Sequence, residues 1–192
     1  MPESVIVVDN SNIFIEGQKY SARSKGVSKN NPLDRDPNDP SWRINFAELL
    51  SRLADGRKIY KAILVGSRPP QNDGVWQAAK SSGFEVTVHD RNASNQEKAV
   101  DTELVAQATE IICYAKEAMV LVIASGDRDF IPLVSVAHRN GWTVEMCAFS
   151  SAFNIDGQMA TEVDKVRSLD SDFQAIGRCD FVWPSSVSAS SP

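Results

Sequence analysis

Four aspartates stand where they could do chemistry together. Asp9 closes the aliphatic run 5–8. Asp127 and Asp129 follow the apolar run 119–124, within Ser125-Gly126-Asp127-Arg128-Asp129-Phe130, and Asp101 lies in a helical segment between the two runs. A short apolar run ended by polar turn residues is the pattern of a strand buried on both faces. Strand ends on one edge of a parallel sheet converge, so acids distant in sequence become neighbours there. Carboxylates at close range raise one another's pKa unless a cation compensates. Hard oxygen donors select magnesium or manganese, ions that keep several waters and use a few carboxylates to meet substrate phosphates. Such an ion activates bound water and offsets charge on a leaving oxygen, which is what hydrolysis of a phosphodiester requires. Histidine is not needed for this, and neither His89 nor His138 has a partner in the sequence that marks it as a base.

Taken singly, each acid has a plainer explanation. Asp127 and Asp129 stand where a helix begins and would serve there as caps. Asp9-Asn10-Ser11-Asn12 reads equally well as a turn whose side chains bond their own backbone. Asp101, near Lys98, is an ordinary acid of a helix surface. The coincidence of all three segments at one sheet edge shifts the balance toward a site.

The elements that must position these residues follow from periodicity. Beyond the two runs already named, strands are expected at 59–65, 84–89 and 142–148. Residues 12–18 open a helix, and Phe46, Leu49, Leu50 and Leu53 recur at helical spacing behind Asn45 as a cap. Val100, Leu104, Ala108 and Ile112 trace one face of a crossover helix over 99–116. Further helices are expected over 129–139, closed by Asn140-Gly141, and over 158–166. Five apolar strands separated by helices imply an α/β fold with a parallel sheet, covered on both faces and wound through right-handed crossovers.

With 192 residues, 42% of them hydrophobic, the chain can bury one good core and shows no compositional break that divides it in two. The expectation is a single domain over 1–183, with a polar insertion at about 19–41 and a disordered Ser-rich tail over 184–192. A net charge of -5 and a pI near 5.1 argue against attachment to nucleic acid through bulk positive charge. A local basic run remains: Lys19, Arg23, Lys25 and Lys29 occur between Gly17 and Leu33 without an acid. Such a run reads as a solvated loop or as a binding arm. The 3 cysteines are widely spaced and lack metal-ligand or disulfide patterning. No stretch approaches the ~20 apolar residues that span a bilayer, so the expected setting is intracellular, cytoplasmic or nuclear, with no membrane partner.

Three segments carry a family signature: Val8-Asp9-Asn10-Ser11-Asn12, Lys98-Ala99-Val100-Asp101-Thr102, and Ala124-Ser125-Gly126-Asp127-Arg128-Asp129-Phe130 with Pro132-Leu133 following. Their order and spacing resemble the NYN domain, a branch of the PIN-like nuclease superfamily. The resemblance extends over about 5–173 and takes in Ser150-Ser151 and the segment 164–169. It implies a PIN-like three-layer fold whose central, mostly parallel five-stranded sheet is flanked by helices. It also implies a metal-dependent endoribonuclease acting on single-stranded or structured RNA with Mg2+ or Mn2+. The catalytic and metal-binding positions it assigns are Asp9, Asp101, Asp127 and Asp129. Asn12 would orient a phosphate or a metal-bound water, and Ser125 would bond a neighbouring carboxylate.

Weaker expectations concern phosphate contacts at Arg68, Lys98 and Arg128, joined by Lys19, Arg23 and Lys25 of the insertion. Arg68, Lys98 and Arg128 are each at least as readily salt-bridge partners of the acid cluster, worth little if exposed. Tyr20 and Trp42 flank the basic run and could stack on unpaired bases, although Trp42 reads better as packing against the helix that follows it. Proteins of uncertain activity also share this signature, so a catalytically weak or inactive RNA-binding or scaffold protein is the alternative. A homodimer or a protein partner is left open.

Overall fold

The computed structural model describes residues 2–27, 29, 34–68, 73–90 and 100–184. In chain order the first half consists of β1 (Ser4–Asp9), α1 (Asn10–Ser24), β2 (Trp42–Ile44), α2 (Phe46–Ala54), β3 (Ile59–Arg68), α3 (Gly74–Ser81) and β4 (Glu85–Asp90). The second half consists of α4 (Val100–Tyr114), β5 (Val120–Ala124), α5 (Ile131–Arg139), β6 (Thr143–Ala148), α6 (Gln158–Glu162), β7 (Lys165–Ser168), α7 (Phe173–Ile176) and β8 (Gly177–Cys179). Short 3-10 turns at Arg128–Phe130, Ser150–Ala152 and Asp170–Asp172 join some of these.

The aliphatic run after Ser4 is buried at every position because β1 lies inside a six-stranded sheet of order β4-β3-β1-β5-β6-β7. All of its pairings are parallel. Strand alternation divides the interior into two layers. Ile6 and Val8 face the side that carries α1, α2, α3 and α7, and pack with Leu49, Leu53, Trp42 and Phe149. Val5 and Val7 face the side that carries α4, α5 and α6, and pack with Leu104, Ala108, Leu133 and Phe130. From β1 the chain winds outward through β3 and β4, then returns across the sheet to β5 and winds the other way. The reversal falls between β1 and β5. Connections leaving the carboxyl ends of these two neighbours diverge, which opens a crevice there.

Several sequence expectations are met closely. Asn45 caps α2 by accepting the Glu48 N–H at 3.3 Å, and Trp76 and Trp142 are both buried. Others are corrected. The parallel sheet has six strands, not five, because residues expected to end a helix over 158–166 form β7 instead. Helix α6 stops at Glu162, Val163 is extended, and the Asp164 N–H bonds to the Val144 carbonyl at 2.9 Å. Four residues of mixed polarity on a sheet edge carry too little alternation to be read as a strand. The antiparallel pair of β2 and β8 is shorter still.

The stretch read as an insertion from residue 19 is helical at its start, since α1 continues to Ser24 with Gly17, Ser21 and Ala22 buried. Its far end is equally engaged. Asp39 and Ser41 are fully buried, and the Trp42 indole lies across Gly17 and Gly177. A Cβ on Gly17 would stand 2.3 Å from the ring, so this contact admits only glycine. Residues 185–192, nearly all of the expected tail, lie outside the described residues.

Candidate active-site cleft

Asp9 is the last residue of β1 and the N-cap of α1, so its position follows from the strand and its orientation from the helix. Its Oδ1 accepts the Asn12 N–H at 3.1 Å, one of the free donors every helix presents at its start. Its Oδ2 accepts the Ser125 hydroxyl at 3.1 Å. Ser125 follows β5, whose Ala124 pairs with Val8, so the sheet register sets the two residues side by side. The same Ser125 Oγ accepts the Asp127 N–H at 3.2 Å. Asp127 in turn caps the 3-10 turn that follows, with its Oδ1 accepting the Asp129 N–H at 3.0 Å. The plain capping roles of Asp9 and Asp127 are therefore real, and the same bonds aim both carboxylates at the crevice.

A cleft of about 690 Å³ occupies that crevice, and its walls include Asp9, Asn12, Asp101, Asp127, Arg128 and Asp129. Asp101 enters from the first turn of α4, on the other face of the sheet from α1. All four aspartates singled out in the sequence thus reach one cleft, with Asn12, and Ser125 stands directly behind Asp9. Asp9 is 6% exposed and Ser125 is fully buried, whereas Asp129 and Arg128 are open to solvent. Asn12 Oδ1 is a buried acceptor without a hydrogen-bond partner among the described residues. Among the described residues, no group of three or more His, Cys, Asp or Glu side chains is gathered into a ready-made ion shell.

The weaker candidates divide. Arg128 is a cation of the cleft wall. Lys19 instead pairs with Glu16 at 2.6 Å and Lys25 with Asp39 at 2.5 Å, while the Arg23 guanidinium lies 6.0 Å from the Tyr20 ring centroid. Lys98 and the Arg68 side chain lie outside the described residues. Trp42 and Tyr20 join an aromatic group with Phe149 and Phe173. Trp42, 1% exposed, is closed to bases.

Sequence reasoning missed two features. Gly126 separates Ser125 from Asp127, and a Cβ there would lie 2.5 Å from the Ala152 carbonyl oxygen. Glu16, four residues past Asn12 on α1, is buried and bonded by Ser151 at 2.7 Å. The signal for the second was an acid at helical spacing from the cleft residue Asn12.

The chain is thus an α/β protein with a parallel sheet wound in two directions from β1 and acids from three segments at its switch point. A crystal structure of a protein of unknown function from Vibrio parahaemolyticus shares the fold, with a TM-score of 0.63 and 17% identity over 90% of this chain and 95% of that one. The NYN domain family model matches residues 7–171, and the chain belongs to that family, a branch of the PIN-like nuclease superfamily and one generally associated with RNA. No curated protein matches it. Among the described residues, no helix is long and apolar enough to cross a membrane.

Proposed function

We propose that this chain is a metal-dependent endoribonuclease that hydrolyses RNA phosphodiester bonds. One observation carries the reading: Asp9, Asp101, Asp127 and Asp129, from three separate segments, line one cleft at the switch point of the sheet. The donors suit Mg2+ or Mn2+, being aspartate oxygens together with Asn12 Oδ1, which has no partner among the described residues. An ion that keeps several waters needs no closed shell of protein ligands, so donors spread along one cleft wall are compatible with it. When bound, it supplies an activated water and offsets charge on the leaving oxygen.

The chain's own residues do the rest. Asn12 N–H and Ser125 Oγ hold both oxygens of Asp9, so the carboxylate has no freedom to swing away. The Arg128 guanidinium, in the cleft wall and open to solvent, is placed to pair with a phosphate. The net charge of -5 leaves RNA capture to such local cations.

A second reading, an RNA-binding or scaffold protein without turnover, draws on the lack of a ready-made ion shell among the described residues. Cleavage of a single-stranded RNA oligonucleotide in Mn2+ decides between them. The nuclease reading expects products from the wild type, none after EDTA, and none from D9N or D127N, both folded with a Tm near that of wild type because the amide oxygen still caps. Full activity in both variants overturns it. Salt-sensitive RNA retention without products establishes the scaffold instead.

A further inference from the structure

Glu16 is a carboxylate outside the cleft wall, yet it is only 9% exposed. Burying an acid is costly unless its oxygens are satisfied, and here each has a dedicated partner. Lys19 Nζ meets Oε1 at 2.6 Å and Ser151 Oγ donates to Oε2 at 2.7 Å. Ser151 is the middle residue of the 3-10 turn Ser150–Ala152, which is gripped from a second direction by Asp170. There the Ser150 N–H donates to Oδ1 at 3.0 Å and its hydroxyl to Oδ2 at 2.5 Å. Two carboxylates from different elements thus hold two adjacent serines.

The fixed turn has a job at its far end. Its last residue, Ala152, puts its carbonyl oxygen where a Cβ on Gly126 would be, at 2.5 Å. Backbone therefore rests on backbone, directly behind the segment Ser125-Gly126-Asp127. Asn12 and Glu16 lie one turn apart on the same face of α1. The helix that presents Asp9 and Asn12 to the cleft also holds the wall against which Asp127 is set.

We propose that Glu16 and Ser151 are a positioning pair that fixes the Ser125–Asp127 turn, and hence the spacing of Asp127 from Asp9, through the contact of Ala152 with Gly126. The functional consequence rests on the nuclease reading above. The geometric consequence does not.

The test uses the full chain as wild type, S151A, E16A and E16Q. Amide hydrogen exchange at Gly126 and Asp127 is read against the β1 amides of Val5 to Val8. Mn2+ affinity and the kcat and KM for an RNA oligonucleotide are measured in parallel. S151A and E16A are expected to exchange about tenfold faster at Gly126 and Asp127 with β1 unchanged. They are also expected to lose about 10- to 100-fold in Mn2+ affinity and kcat, the range for residues that orient metal ligands, with KM little altered. E16Q, whose amide oxygen still accepts from Ser151, retains most of the wild-type behaviour. Unchanged exchange at Gly126 and Asp127 in S151A overturns the proposal, even if E16A fails to fold. An E16Q that falls as far as E16A overturns it too, since charge and not the hydrogen bond would then matter. A wild type that binds no Mn2+ while S151A still loosens Asp127 removes the nuclease reading and leaves the positioning pair standing.

Discussion

Ser125 Oγ donates to Asp9 Oδ2 at 3.1 Å and accepts the Asp127 N–H at 3.2 Å, so a single buried hydroxyl couples two acids that sequence separates widely. Removing it in Ser125→Ala leaves a buried carboxylate oxygen short of a donor and an amide short of an acceptor. The expected cost is about 1–3 kcal/mol, read as a lower urea midpoint with an unchanged m-value. Mn2+ affinity should fall about tenfold or more, because the Asp9 orientation is no longer held. A variant as stable as wild type would show that the hydroxyl does not couple the strands.

Gly126→Ala tests the wall behind the same turn. A methyl group 2.5 Å from the Ala152 carbonyl oxygen and 2.9 Å from its carbon cannot be absorbed by rotating a side chain, because both atoms are backbone. The turn must shift, at a typical overpacking cost of about 1–3 kcal/mol. Loss of RNA cleavage greater than that of Ser125→Ala is expected, since the shift moves Asp127 itself. Retention of both Tm and cleavage would mean that the Ser150–Ala152 turn yields easily and does not set the site.

Asp9 and Asp127 were legible in the sequence because each follows a signal that local patterning carries, whereas Asp101 stood out only through its place between the two runs and the family likeness. Asp9 and Asp127 follow apolar runs, and those runs are buried strands since β1 and β5 are adjacent inside the sheet. Ser125 was found through family likeness, and its bond to Asp9 depends on a register that periodicity cannot give. β7 and the β2–β8 pair were missed for the opposite reason: they are too short to show alternation, and tertiary pairing alone makes them strands. The basic run was open to two readings, a solvated loop or a binding arm. The pairing of Lys25 could not be read there, because its partner, Asp39, lies 14 residues on and is buried by contacts no local window contains. The contacts of Gly126 and Glu16 depend on Ala152 and Ser151, which no local window contains, although the spacing of Glu16 from Asn12 on α1 was a partial signal.

Thiol reactivity checks the two-layer packing. Cys113 and Cys179 are exposed and Cys147 is buried. Burial pushes the Cys147 thiol up to about 12, against a smaller pull from Arg167. At pH 8 its thiolate fraction is then about 1 in 10,000. A disulfide-exchange reagent should titrate two thiols rapidly in the native protein and the third only in denaturant. Three fast thiols would place β6 closer to solvent than the fold allows.

Asp39 should make the protein sensitive to acid. Burial on its own would raise its pKa, but hydrogen bonds from Lys25, Ser21 and Ser41 outweigh burial and hold the carboxyl at about 2, below its ordinary 3.8. A carboxylate depressed in the folded state contributes stability that is complete above the ordinary value and is lost as pH falls through the folded one. The window is therefore from about pH 4 down to about pH 2, and the depression corresponds to about 2 kcal/mol. Asp39→Asn should be less stable than wild type at pH 7 by about that amount, with Lys25 deprived of its counter-charge. On acidification through the window the gap should close, because the protonated carboxyl of the wild type and the amide of the variant then bind alike. Urea unfolding of both proteins at pH 7, 4 and 2.5 measures it. A gap that stays constant would show that the Lys25 pairing has no net weight, and that the end of the insertion is held by Trp42 packing alone.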